Sequence, residues 1–465
     1  MTELPLASLF QPATKADWLK RVAATLKDGS FEDQLVSTTE DGIRIDPLYG
    51  QKAGAHVART AHGPWKVIQR ADHGDVSRAN LQILDDLRHG ANGITLCVEG
   101  AASARGFGLP GASVTTLSRA LKDVALHAIA VRLDAGPNGR MAVQSLAALV
   151  RQSAVNPELL DVAFGMDPIG VLAQRGYLDE SWIERAKLIA HTVEDLARDF
   201  RGPFLEADGR VWHDGGATAA QEIGGVLATG AAYLRALEGG GEDVMARGVG
   251  VTLAADQDMF VTLAKFRGMR LVWAKLLEAC GLAGILRLHA ETSWRMMTRL
   301  DPHTNILRAA AAVFGAGLGG ADSITVLPFP LAQGLPNSFA RRVARNTQTV
   351  LLEESNLWRV DDPAAGAGYA EHLTEALCEK AWTFFQDIER RGGIAKALET
   401  GWLKCQIAAA REAMVSQRAP IIGTSVYRLA KEYGAAVEVA APIVAPADER
   451  AIAPWRIAEN LEDAA

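Results

Sequence analysis

Three sets of residues have the types and spacing to do chemistry. Gly106-Phe107-Gly108-Leu109-Pro110-Gly111 satisfies GxGxxG, and Asp134 ends the next apolar run, where a dinucleotide site wants an acid for the ribose. A phosphate loop must leave its strand directly, whereas Ala101 to Arg105 intervene here and Pro110 removes an N–H. An ordinary glycine-rich βα loop is the expectation. Gly315, Gly317, Gly319 and Gly320 follow a helical pattern and precede a strand, the reverse of a phosphate loop, and read as helix termination with a tight turn. His213 and Asp214 come just after a strand candidate, at the barrel end where catalytic groups collect, yet a loop His beside an Asp reads first as a surface hydrogen-bonding pair. No GxSxG, HExxH, Walker or kinase signature occurs, which removes the common hydrolase, zincin and NTPase readings.

The elements that would position these residues alternate. Short apolar runs at Gly93–Glu99, Ala128–Asp134, Leu160–Phe164, Pro203–Glu206, Gly250–Ala254, Gly284–His289, Ser323–Leu327 and Trp358–Asp361 give eight strand candidates. Between them lie amphipathic segments such as Ser181–Phe200 and Phe260–Cys280, the alternation expected of βα units on a parallel sheet. Eight such units with right-handed crossovers close into a (β/α)8 TIM-type barrel. The expected division is an N-terminal arm and extended segment over 1–60, a barrel over 61–430 and a C-terminal linker or strap over 431–465, with nothing folded after it. In the arm, Trp18, Val22 and Leu26 make one helical stripe that stops near Gly29, and 41–49 alternate at strand spacing.

Composition bounds the function. With 49% hydrophobic and 22% charged residues among 465, the chain has apolar material for a large core. Its net charge of -7 argues against nucleic-acid or anionic-membrane partners, which need clustered Lys and Arg. Cys97, Cys280, Cys378 and Cys405 lie far apart with no CxxC, so neither a zinc site nor a disulfide framework is expected, and a reducing cytoplasm fits.

Several strings resemble the methylmalonyl-CoA mutase family. They include the stretch from Phe10 to Trp18, Asp41-Gly42-Ile43 through Pro47-Leu48-Tyr49, Gly215-Gly216-Ala217-Thr218, Leu263-Ala264-Lys265-Phe266-Arg267 with Trp273-Ala274-Lys275, and Glu291-Thr292-Ser293. Further strings run from Ala340 to Gln348, and at Asp361-Asp362-Pro363, Gly366 to Tyr369 and Gly392-Gly393-Ile394, so the likeness spans about residues 10 to 459. The opening strings look like the family's small subunits. The resemblance implies a (β/α)8 barrel whose bore, in catalytic subunits, threads an acyl-CoA toward adenosylcobalamin.

This chain departs from the catalytic pattern. Where those subunits carry a Tyr-His pair, counting back from Thr218 gives Arg210 and Val211; His213 lies two positions on and would substitute only after a local shift. Gly248-Val249-Gly250 stands where they place an arginine and a serine, and Ser323 to Pro330 replaces a loop rich in His and Gln. Asp301-Pro302-His303 begins like the Asp-x-His-x-x-Gly string that offers a histidine to cobalt, but Ile306 replaces the glycine, and a helix start with Asp301 as cap and Pro302 at its first position is expected instead. A bore emptied of the groups that grip a thioester is therefore expected, with no catalytic, cofactor-binding or metal residue in this chain and no flavodoxin-like cobalamin domain. The implied role is a small, non-catalytic subunit whose large partner carries substrate and adenosylcobalamin. The competing readings are the substrate-binding half of a split mutase and a stand-alone regulatory or chaperone-like barrel.

Overall fold

A computed structural model describes residues 11–462 except 12, 28, 154 and 443–447. Phe10 and Pro12 of the first family-like string, and part of the Pro-rich C-terminal stretch, lie outside the described residues. Eight parallel strands form the centre: β1 Lys66–Ala71, β2 Gly93–Cys97, β3 Ala130–Asp134, β4 Asp161–Ala163, β5 Leu205–Asp208, β6 Val249–Ala255, β7 Leu288–Thr292 and β8 Ser323–Thr325. The ladder runs β4-β3-β2-β1-β8-β7-β6-β5. Bonds from Phe164 N–H to Pro203 O (2.9 Å) and from Glu206 N–H to Met166 O (2.9 Å) close it between β4 and β5. The result is the expected (β/α)8 barrel.

The strand count of eight is right, but one member differs. Trp358–Asp361 forms a turn, and the missing strand is β1, which opens the barrel. That run is hidden in the sequence because it contains Gln69 and Arg70, both buried. Gln69 donates to Asp86 and to Arg341 O, and Arg70 reaches Asp72, Glu291 and Ser103 O. β5 and β7 likewise extend past their expected ends because Asp208, Glu291 and Thr292 are polar yet buried.

Helices surround the barrel where their periodicity places them. Trp182–Leu196 starts at a capping box made by Ser181 and Glu184, and Met259–Ala279 starts at Asp258. Helix Ala219–Ala236, capped by Thr218, is apolar nearly all round, because an outer helix, Gly368–Arg390, packs across it and across Met259–Ala279. Gly224 permits that approach: a Cβ there would lie 2.9 Å from Ala381 O. The outer layer is pinned by Arg267, fully buried, which donates to Asp362 (2.8 and 3.0 Å), Glu371 (3.1 and 3.3 Å) and Thr374 (2.9 Å).

The C-terminal segment crosses the barrel end to which the strands point. Val437–Ala440 pairs antiparallel with Gly334–Pro336. Beyond it, backbone N–H groups of Ile452, Trp455 and Ile457 donate to Ala173 O and Asp214 O, in the helices that follow β4 and β5, and to Arg295 O in the loop after β7. Trp455 and Arg456 are buried there. Among the described residues, no helix is long and apolar enough to cross a membrane.

Candidate functional site: the barrel bore

Side chains that meet across non-neighbouring strands must point into the barrel. Arg132 of β3 donates to Glu206 of β5 (3.1 Å) and to Thr252 of β6 (2.9 Å), while the Thr252 hydroxyl donates to Glu206 (2.5 Å). His289 of β7 meets Ser323 Oγ through Nδ1 (2.7 Å) and Thr325 Oγ1 of β8 through Nε2 (3.2 Å). These two sets of residues form a polar layer at mid-height. Burial, with the charges of Arg132 and Arg210 adding to it, holds the His289 imidazole well below its usual range, so it is neutral.

A second layer sits above. Arg210, just beyond β5, reaches Asp208 (2.6 Å), Asp134 of β3 (2.8 Å) and Glu291 of β7 (3.1 Å). Arg70 of β1 reaches Glu291 (3.1 Å) and Asp72 (3.0 Å), and donates to Ser103 O (2.6 Å). Burial would raise the Asp134 carboxyl, but the Arg210 charge and the Ser103 hydroxyl outweigh it and the group stays below its usual range. Asp208 is raised, chiefly by burial, against the opposing pull of Arg210.

The bore is therefore not emptied, which corrects the sequence expectation. Gly250 illustrates the reason. Its missing side chain leaves room that the neighbouring strand fills, since a Cβ at Gly250 would lie 3.1 Å from Glu206 Oε2. An upper cavity lined by Thr95, Asp134, Asp208 and Arg210 and a lower one lined by Arg59, Lys66, Asp161 and Arg287 share two residues, Arg132 and His289, which stand between them. In the lower cavity the cations are already engaged: Lys66 and Arg287 both pair with Asp161, and Arg59 donates to Gly63 O and Gly317 O.

The residues singled out in the sequence fall into place around this plug. His213, in the short helix Arg210–Gly215, is buried and turned away from the bore, with Nε2 on Ser293 Oγ (2.7 Å) and near Asp256 (3.2 Å), and Nδ1 near Glu222 (3.3 Å). Among the described residues it shares no hydrogen bond or ion pair with Arg132 or Arg210. Nor is His213-Asp214 a surface pair: Asp214 is also buried, against Arg105. Burial would raise Asp256, yet the His213 hydrogen bond and the Arg295 charge overcome it and hold that carboxyl below its usual range. Sequence reasoning missed this cluster of Glu222, Lys265, Asp256 and Arg295; the only signal was polar residues at otherwise apolar helix positions, such as Lys265, whose Nζ lies 2.6 Å from Glu222.

The GxGxxG stretch is a loop, as expected, and its amides tie it to the ends of β1 and β2. Gly108 N–H donates to Asp72 O and Leu109 N–H to Cys97 O, and the helix begins only at Val114. Gly108 (φ +114°) has no space for a Cβ, which would lie 2.6 Å from Glu99 N. Gly315 and Gly317 are not terminators: they sit inside helix Thr304–Leu318, where Gly317 faces the Trp65 ring, and Gly319 and Gly320 make the turn. That helix begins at Thr304, later than expected. Asp301 accepts from the Thr304 hydroxyl (2.5 Å), and His303 lies against the Phe329 ring.

A closed (β/α)8 barrel whose bore is crossed by ion pairs and whose upper end is covered places the chain in a class of barrel enzymes and their subunits. The methylmalonyl-CoA mutase family profile matches residues 50–453, so the chain belongs to that family. It is 39% identical to the methylmalonyl-CoA mutase small subunit of Streptomyces virginiae, over 93% of this chain and 74% of that protein. It is 37% identical to the probable small subunit of Mycobacterium tuberculosis (strain ATCC 25618 / H37Rv), over 89% and 68%. It is 33% identical to the small subunit of Propionibacterium freudenreichii subsp. shermanii, over 86% of this chain and 65% of that protein.

The family is cobalamin-dependent, which poses a question of fit. A corrin above the bore would need the upper mouth open. Here the strap residues Ile452, Trp455 and Ile457 are tied to the segments that follow β4, β5 and β7, and Arg70 binds Ser103 O, so the residues present do not fit the cofactor over this bore.

Proposed function

We propose that this chain is the small, non-catalytic subunit of a heterodimeric, adenosylcobalamin-dependent methylmalonyl-CoA mutase, an isomerase whose substrate channel and cofactor belong to the larger subunit. The occluded bore carries this reading. Threading a thioester would require breaking the Arg132–Glu206–Thr252 contacts and moving His289, leaving buried charges without partners. Relatives named as small subunits support the same role. The four cysteines, all free, support a reducing cytoplasmic setting. The barrel stabilises its partner by presenting a rigid surface; it takes no part in the carbon-skeleton rearrangement. The test is to purify the chain alone and with a large subunit from the same organism. The expected result is no isomerisation and no saturable acyl-CoA binding by the chain alone with added adenosylcobalamin, and activity in a one-to-one complex. Saturable acyl-CoA binding dependent on Arg132 would overturn the reading.

A further inference from the structure

Two buried oxygens of the upper cavity lack a hydrogen-bond partner among the described residues, Thr95 Oγ1 and Glu206 Oε2. Thr95 is 5% exposed and Glu206 4%. Orphaned buried polar atoms are rare, because each carries its full desolvation penalty. Thr95 interrupts the apolar run of β2, and its in-register neighbours are Arg70 of β1 and Arg132 of β3. It therefore shares the bore-facing side of the sheet with Arg132. Neither guanidinium serves it: Arg70 is committed to Asp72, Glu291 and Ser103 O, and Arg132 turns Nη2 to Glu206 Oε1 and Thr252. On Glu206 the Arg132 and Thr252 bonds both end on Oε1, which leaves Oε2 open.

The cavity, of about 530 Å3, has the size of a small-molecule site. Its lining is acid-rich: Asp134, Asp167, Glu206 and Asp208 face Arg132 and Arg210, and Arg210 is shared with Glu291 outside it. Burial, and next the Asp208 charge, push Asp167 up to about 8, so it holds a proton at neutral pH, and one carboxylate still remains in excess. The grouping does not suit a metal ion, since among the described residues no three His, Cys, Asp or Glu side chains are placed to share one. Ala102, Val171 and Val211 add apolar lining. A ligand that satisfies these groups carries one positive charge, donates N–H bonds and has a short hydrocarbon part. We infer that the upper cavity binds a small primary ammonium compound whose charged end is received by Glu206 and Thr95. The site lies on the upper side of the Arg132–Glu206 layer and is independent of what the lower half of the bore admits.

The experiment titrates the full chain at neutral pH with n-butylammonium chloride by calorimetry, with tetramethylammonium chloride, of equal charge but without N–H, as the control. Saturable binding of n-butylammonium is expected, and none of tetramethylammonium. Thr95→Val and Glu206→Gln should each weaken binding at least about ten-fold, as for loss of a hydrogen bond to a charged group. Thr95→Val should also leave the thermal midpoint of the free chain unlowered, since it removes an oxygen that has no partner. That variant decides the matter even where Glu206→Gln loosens the fold. Absence of saturable n-butylammonium binding overturns the inference and leaves the two oxygens to water. Equal binding of tetramethylammonium, or binding undiminished in Thr95→Val, overturns it too, because attraction to the acidic surface would then account for the signal. A lowered midpoint of free Thr95→Val also overturns it, because the hydroxyl would already be satisfied within the chain.

Discussion

Replacing Arg132 by Met keeps the length of the side chain in the bore and removes its charge. Glu206, 4% exposed, then keeps only the Thr252 hydroxyl as a partner. Breaking one half of a buried ion pair costs about 3–5 kcal/mol, because the remaining charge stays desolvated. Arg132 is itself 14% exposed on its side chain, so the lower part of that range is expected. Arg132→Met/Glu206→Gln removes both charges, and the introduced amide oxygen still accepts from the Thr252 hydroxyl; its loss should therefore be smaller than that of Arg132→Met alone, with a coupling energy of about 2 kcal/mol or more. Urea unfolding of the four proteins, read as midpoint shifts at a common slope, gives the cycle. A second readout is independent of folding: His289, held neutral by burial and then by the Arg132 and Arg210 charges, should titrate at higher pH in Arg132→Met, which histidine NMR signals report. Additive losses of under about 1 kcal/mol each, with His289 unmoved, would refute the description of the bore as a coupled plug.

Arg267→Met should destabilise by at least about 3 kcal/mol, since it strands Asp362 and Glu371 together; loosening of the outer helix Gly368–Arg390 should show as faster amide exchange there. Asp167 is pushed up to about 8 by burial and by the Asp208 charge, so the folded chain holds a proton that the unfolded chain releases near pH 4. The stability tied to that proton is full below about pH 4 and is lost as pH rises through about 8. Asp167→Asn, which can still cap helix Pro168–Arg175 through Gly170 N–H, should flatten this slope in urea midpoints measured across the window. Gly317→Ala would place a Cβ 2.7 Å from the Trp65 ring and should cost about 1–3 kcal/mol by overpacking, read as a lower midpoint with an altered near-ultraviolet tryptophan signal.

Much of the barrel was legible because its walls obey simple rules. Runs such as Gly93–Cys97 and Ala130–Asp134 are short, apolar and followed by amphipathic helices, and the arm helix stops where its stripe stops. What escaped the sequence shares one cause. β1, the ends of β5 and β7, and the cluster around His213 are built from charged residues buried against one another, and a charge in a sequence reads as surface until its partner is known. Arg132 and Glu206 are 74 positions apart, and Arg70 and Glu291 are 221 apart. No local pattern links them.

The family comparison led to the right fold and to the wrong picture of its centre. Counting which catalytic groups are missing gives glycine and valine at those positions, and from that list alone a bore emptied of groups that grip a thioester follows. Small residues in a packed interior do not stay as holes, however, because neighbouring side chains close on them. Glu206 takes the space beside Gly250, Arg132 holds Glu206 from across the bore, and Arg70 and Arg210 repeat the device one layer higher. Such a layer is of little use to net stability against an apolar core of the same shape. Its consequence is specificity of a negative kind: every extended ligand that enters must strip several buried charges of their partners at once. The contacts of Arg132, Glu206 and Thr252 are thus what an extended ligand would have to break in order to pass.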